Sequence, residues 1–427
     1  MSKDLRSVGW KALKTVAAVF ILIDKDGKLC GLLCLHVDDG LVAGKGKYYD
    51  EVMEKLKKIS PMKHFKSREF LFTGRTVIQD QKTGEITVHQ KTYMDKVESI
   101  PITRERRAEK DKALTPAEVT QLRSLTGKLA WPARETTPHL SFDVSDLQQR
   151  AAGATVETLL TANKVLKKMK QIEMKSHKLL FQKIDLKNVC LVVYSDASHG
   201  NMPRGGSQGG YMMYLSEKNV EHKEAKANLI DWCSHRIKRI VKSTLASEAA
   251  ALAEAHDRIE FTTAVLEEML GYEVDMKRRR GKIPGHMVVD AKSVYDLCHK
   301  VGSMPQEKRV ALDIFAIREA LEDQPMTLRW VPTRHMLADM MTKSFPVLSK
   351  YMLKCLSAGR ICLVESDEAK VVTNKRNQDK GLSGCMITSL LPFQSQAAFC
   401  VQPAAMARNS SSSPSPLRKR SSCPSPL

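Results

Sequence analysis

Four carboxylates stand where apolar elements end or where an acid is costly. Asp196 closes the run "CLVVYSD" and Asp290 closes "HMVVD", so each is expected at the edge of a central strand. Glu248 lies in a long helical stretch where Leu245, Leu252, Ile259 and Leu266 form a seam that Ala255 and Met269 fill out. A glutamate on that seam costs several kcal/mol of desolvation unless a cation or hydrogen-bond donors meet it. Asp339 sits among apolar neighbours in "MLADMM". Taken singly, an aspartate in such a place also reads as a helix cap or turn residue. Four of them at element edges point to a shared site. Clustered carboxylates repel unless cations hold them, and hard oxygen ligands suit Mg²⁺ or Mn²⁺. Two such ions about 4 Å apart activate a water and steady the leaving oxygen of a phosphodiester, so the chemistry expected is phosphodiester hydrolysis.

Other residues with chemical potential are more ambiguous. Asp38 and Asp39 interrupt the apolar stretch "GKLCGLLCLHVDDGLVAGKG" at an expected hairpin tip. His335 is expected one helical turn before Asp339, where it either assists proton transfer or product release or caps the helix. "SHRIKRIVKS" carries Arg236, Lys238, Arg239 and Lys242, which read either as a sequence-neutral phosphate track or as a solvated loop. Cys30, Cys34 and His36 share one strand face, as a metal cluster or as core thiols.

The whole chain must position these groups. It has 427 residues, 42% of them hydrophobic, enough for roughly two or three packed domains. The formal charge of +20 favours a polyanionic partner such as nucleic acid, with an anionic membrane surface as the second possibility. The apolar run Val16 to Ile23 is too short to span a bilayer and reads as a buried strand, so no membrane role is expected. Ten cysteines without a C-x-x-C pair fit a reducing, intracellular location, cytoplasmic or nuclear.

Between Thr15 and Ala43 the pattern is strand, turn, strand, turn, strand, with "DKDG" as the first turn. A short helix, a second hairpin around "QKTG" and a further helix follow. "TRERRAEKDKALTP" reads as a solvated loop, and helical spacing resumes up to about Lys187. From Asn188 three strands, a long helix, a strand, helices, a strand and a last helix ("HMLADMMTK") imply a mixed sheet with helices on its faces. The Ser/Pro-rich end, "NSSSSPSPLRKRSSCPSPL", supplies no core and is expected to be disordered.

"YSDAS", "ASEAAAL", "VVDAKS" and "VPTRHMLADMMTK", in this order, resemble the ribonuclease H domain of copia-type retrotransposon polyproteins. The resemblance implies a ribonuclease H-like α/β fold with a mixed five-stranded sheet and flanking helices. It also implies cleavage of the RNA strand of an RNA–DNA hybrid, with Asp196, Glu248, Asp290 and Asp339 as ligands for two Mg²⁺ or Mn²⁺ ions. Ala250, Ala251 and Ala291 depart from the family's pattern without removing a ligand. In the same family a reverse transcriptase precedes this domain, and "LCLHVDDGLVAG" resembles the V-D-D hairpin of its α+β palm, making Asp38 and Asp39 metal ligands by resemblance. "FLFTGRTVIQDQKTGEITVHQKTYMDKV" and "SLTGKLAWPARETTPHLSFDVSDLQQ" resemble the segments after it.

The expected layout is a partial palm over 1–60, a thumb- or connection-like helical region over 61–187, a ribonuclease H-like domain over 188–350 and a low-complexity basic tail over 351–427. Only fifteen residues precede Val16, too few for the fingers and the palm's other metal-binding aspartate. Asp24 and Asp26 lie in a turn at the far end of the hairpin. The chain alone is therefore expected not to polymerise, and an upstream polyprotein segment is a candidate partner that completes the palm. Two rival functions are a non-catalytic nucleic-acid-binding remnant and another ribonuclease H-fold nuclease acting on duplex DNA.

Overall fold

The computed structural model describes residues 1–363 apart from 38, 61–64, 175–177, 275–280 and 301. Asp38 and the serine-rich end therefore lie outside the described residues.

Near the N-terminus the strands Lys11–Ala12, Val19–Ile23, Leu29–His36 and Asp39–Gly44 form an antiparallel sheet in chain order. The "DKDG" turn follows from its residues. Asp24 Oδ1 accepts the amides of Asp26 and Lys28 at 2.9 and 2.8 Å, and Gly27 takes the positive φ of 76° that the reversal requires. Helix Lys47–Ile59 lays Val52, Met53 and Leu56 against Phe20, Leu22 and Leu33.

A second antiparallel sheet joins Glu69–Phe72, Arg75–Gln79 and Ile86–His89 to the distant strand Leu179–Phe181. Helices Pro116–Glu135, Ser141–Arg150 and Val156–Met174 share a core containing Leu122, Leu129, Val144, Leu159 and Met169. The first of these starts where its sequence says it should, with Pro116 in the first turn and a reciprocal capping box between Thr115 and Glu118. The charged stretch expected as a solvated loop instead holds a short helix, Arg104–Ala108. Its order comes from Arg106, whose guanidinium forks onto both oxygens of Glu118 at 2.9 and 2.8 Å.

The third sheet carries the candidate chemistry. Its order is Met326–Trp330, Gly285–Val289, Val189–Met202, Gly206–Glu217, Ala225–Arg236 and Arg360–Ile361. The first three strands are mutually parallel and the others pair antiparallel. This is the expected mixed sheet of five strands with flanking helices, extended by a sixth strand of two residues. Helix Thr244–Met269 crosses one face, burying Leu252, Ala255 and Ile259 completely against Leu191, Val193 and Met287. Each fully buried aliphatic side chain contributes about 1.5–3 kcal/mol. Met336, Leu337, Met340, Met341 and Met352 cover the other face.

Two expectations about the end of this region need correction. "HMLADMMTK" is not one helix but a 3₁₀ turn, Thr333–His335, followed by the short helix Asp339–Thr342. Met336, Leu337 and Ala338, which join the turn to the helix, are all fully buried. Packing also continues past residue 350. Helix Lys350–Ala358 and strand Arg360–Ile361 bury Met352, Cys355, Ile361 and Leu363 on the sheet, a surface too short to show periodicity in sequence. No helix among the described residues is long and apolar enough to cross a membrane.

Candidate active site

Strand register brings the first two aspartates together. In the parallel pair Val288 lies opposite Tyr194, and two residues further along both strands come Asp290 and Asp196. Glu248 reaches the same point from the Thr244–Met269 helix. Oxygens of Asp196, Glu248 and Asp290 all lie within 4.8 Å of one another. Asp196 and Glu248 are buried and Asp290 is half-buried.

The fourth acid depends on a glycine. Gly210 pairs with Asp196 across the antiparallel ladder, and a Cβ there would meet Met341 Cβ at 2.2 Å and the Cys233 carbonyl at 2.6 Å. The missing side chain lets the Asp339–Thr342 helix settle onto the sheet beside Asp196. Thr342 Oγ1 then donates to Asp196 Oδ2, and Asp339 comes close enough to raise the Asp196 pKa. Lys343 Nζ pairs with Asp339 Oδ2 at 2.7 Å, while Asp339 Oδ1 is buried with no hydrogen-bond partner.

The electrostatics register this crowding. Burial pushes Asp196 up to about 7, helped by Asp339 and Asp290 and opposed by Thr342 and Lys343. Glu248 is pushed up to about 9 by burial and then by Asp196 and Asp290, although the Ala197 amide donates to it. Asp339 is also raised, mainly by burial, against the pull of Lys343. Acids crowded so closely, one with an orphaned buried oxygen, fit a divalent cation with oxygen ligands.

The remaining sequence candidates lie elsewhere. His335 packs its ring on Tyr351 with centroids 4.8 Å apart, outside the helix that carries Asp339. Asp39, at the hairpin tip as expected, starts an outer strand and is exposed. That strand lies at the edge of its sheet, hydrogen-bonded to Leu29–His36. Among the described residues no potential metal-binding group contains Asp39, Cys30, Cys34 or His36. Lys238 and Lys242 are exposed and Arg236 is half-buried. Arg239 forms a close ion pair with Asp313, which takes it out of a freely available phosphate track. Arg236, Lys238 and Arg239 line a cavity of about 810 Å³ beside the Thr244–Met269 helix.

Sequence reasoning missed Lys343, Thr342 and Gly210. The spacing of Asp339 and Lys343, four apart, was a usable signal for an ion pair. Nothing local announced Gly210.

No family model matches the chain. Over 225 residues, 52% of its length, it is 25% identical to the Retrovirus-related Pol polyprotein from transposon RE1 of Arabidopsis thaliana, and equally to that from transposon RE2. The chain is similar to part of these Pol polyproteins. It spans 14% of the length of each. Among solved structures, the foamy viral protease-reverse transcriptase dRH in complex with ds DNA aligns at 13% identity and a TM-score of 0.39, covering 70% of this chain and 46% of its own. LC11-RNase H1 in complex with RNA/DNA hybrid aligns at 14% identity and a TM-score of 0.25, covering 36% and 96%. The N-terminal RNase H domain of rv2228c from Mycobacterium tuberculosis aligns at 14% identity and 0.24, covering 38% and 94%.

Proposed function

We propose that this chain is a retroelement-derived ribonuclease H of copia type, an endonuclease that cuts the RNA strand of RNA–DNA hybrids. The observation that carries the reading is the convergence of Asp196, Glu248 and Asp290 within 4.8 Å, from two strands and a helix, with Asp339 brought alongside by a fourth element. These four residues would hold Mg²⁺ or Mn²⁺. Two bound ions would supply an activated water and stabilise the departing oxygen of the phosphodiester.

The chain's own residues do the positioning. Thr342 orients Asp196 by its hydroxyl, and the Ala197 amide orients Glu248. Lys343 neutralises one oxygen of Asp339 and leaves the other buried without a hydrogen-bond partner. The exposed Lys238 and Lys242, with Arg236, would add salt-dependent affinity for the hybrid backbone. His335 would assist product release. Residues 1–60 and 61–187 are assigned, in the same reading, to a palm remnant and a connection, with Asp38 and Asp39 as ancestral ligands of the palm.

Purified protein should cleave a labelled hybrid in Mg²⁺ or Mn²⁺, and Asp196→Asn and Glu248→Gln should each abolish cleavage with the fold intact by circular dichroism. Hybrid binding without cleavage in either metal would favour the binding-remnant reading. Cleavage of duplex DNA in preference to hybrid would favour the other nuclease class.

A further inference from the structure

Two groups of potential metal donors lie apart from the four acids among the described residues. His256, Asp257 and Glu260 sit on a single helix, where Glu260 already accepts from Gln324 at 2.6 Å. Cys233, His235 and Glu254 are different, because two elements bring them together. Cys233 and His235 are two apart on the Ala225–Arg236 strand and so share a face, and Glu254 meets them from the Thr244–Met269 helix. Cys233 Sγ is 3.6 Å from His235 Nδ1, and His235 Nε2 is 3.0 Å from Glu254 Oε2. Donor atoms from all three lie within 4.8 Å of one another. Each residue is half-buried, and His235 and Glu254 open onto the cavity that Asp257 also lines.

We propose that Cys233, His235 and Glu254 bind one Zn²⁺ ion, with solvent as the fourth ligand, and so tie the end of the Ala225–Arg236 strand to the helix that carries Glu248. Thiolate, imidazole and carboxylate together suit a borderline-soft ion, whereas Mg²⁺ prefers oxygen alone. Tetrahedral zinc, with bonds of about 2.0–2.3 Å, spaces its ligand atoms about 3.3–3.6 Å apart. Cys233 lies nearest Nδ1 and Glu254 nearest Nε2, so binding one ion requires the His235 ring to turn until a single nitrogen faces both partners. Binding releases the thiol proton and any proton on the coordinating imidazole nitrogen to solvent. Without the ion, a protonated His235 paired with Glu254 occupies the same place. The site is chemically separate from the four-acid cluster and does not depend on what that cluster does.

The test uses the full chain carrying Asp196→Asn and Glu248→Gln, so that the acid cluster does not contribute, stripped with chelator in reducing buffer. Titration with Co²⁺ should saturate at one equivalent with a near-ultraviolet thiolate-to-cobalt charge-transfer band, which one equivalent of Zn²⁺ bleaches and excess Mg²⁺ leaves unchanged. Cys233→Ser should remove the band. Glu254→Gln should keep it and weaken affinity about 10–100-fold, an independent readout should the serine variant fail to fold. Absence of the band, or its persistence in Cys233→Ser, overturns the proposal, as does an affinity unchanged in Glu254→Gln.

Discussion

Removing one charge from the carboxylate cluster should stabilise the metal-free protein while abolishing its proposed activity. The Asp196 carboxyl rises from 3.8 to about 7, burial first and then Asp339 and Asp290 being responsible. At about 1.4 kcal/mol per pH unit, that corresponds to about 4 kcal/mol held against the folded state once the group is ionised. Glu248, raised from 4.5 to about 9, feels partly the same repulsion from the other side, so the two penalties do not add. Both folded-state values lie above the unfolded ones, so the folded protein holds these protons more tightly. The contribution to stability is therefore greatest below about pH 4, and falls as pH rises towards about 7 for Asp196 and about 9 for Glu248. An asparagine at position 196 keeps the shape and still accepts from Thr342, but its amide needs a partner of its own. About half the gross figure, about 2 kcal/mol, should remain as a gain near pH 8 in chelator, a rise in Tm of about 4–8 °C. Near pH 4 the gain should vanish, and excess Mg²⁺ near pH 8 should stabilise the wild type more than the variant. Thermal melts of both proteins across this range, with and without Mg²⁺, measure it. A variant less stable than wild type near pH 8 in chelator, or a gap that ignores pH, would refute the claim that these carboxylates repel one another in the fold.

Gly210→Ala should push the Asp339–Thr342 helix off the sheet, costing about 1–3 kcal/mol in a urea melt and about 100-fold in hybrid cleavage, with hybrid affinity unchanged. Lys238→Ala with Lys242→Ala should flatten the dependence of hybrid affinity on salt, read by fluorescence anisotropy over a salt series. Arg239→Ala should contribute little to that slope and instead lower stability, because its charge is spent on Asp313. On an RNA template with Mg²⁺ and deoxynucleotides, the chain should not extend a primer, since exposed Asp39 joins no potential metal-binding group among the described residues; template-dependent extension lost in Asp39→Asn would contradict this.

The sequence by itself determined the elements and the acids. Heptad recurrence of Leu252 and Ile259 marked the long helix and left Glu248 stranded on its buried seam, and "HMVVD" placed Asp290 just past the end of its strand, whereas Asp196, expected at a strand edge, lies within the longer strand Val189–Met202. Local turn chemistry fixed "DKDG", and a capping box fixed the start of the helix at Pro116. Only the tertiary structure decided what meets what. The break of "HMLADMMTK" into a 3₁₀ turn, a buried link Met336–Ala338 and a short helix from Asp339 is not legible in its apolar pattern, which an ordinary buried helix would share. Whether Arg239 is free or paired depends on Asp313, 74 residues on in the chain, and the short helix Arg104–Ala108 depends on a fork from Arg106 to Glu118. Gly210 matters because Met341 arrives from far along the sequence, and Cys233 with His235 gains a third donor only where the strand passes Glu254. Periodicity reports which face of an element is buried; contacts between distant elements leave no periodic trace, so the chemistry they create becomes legible only when the chain is folded.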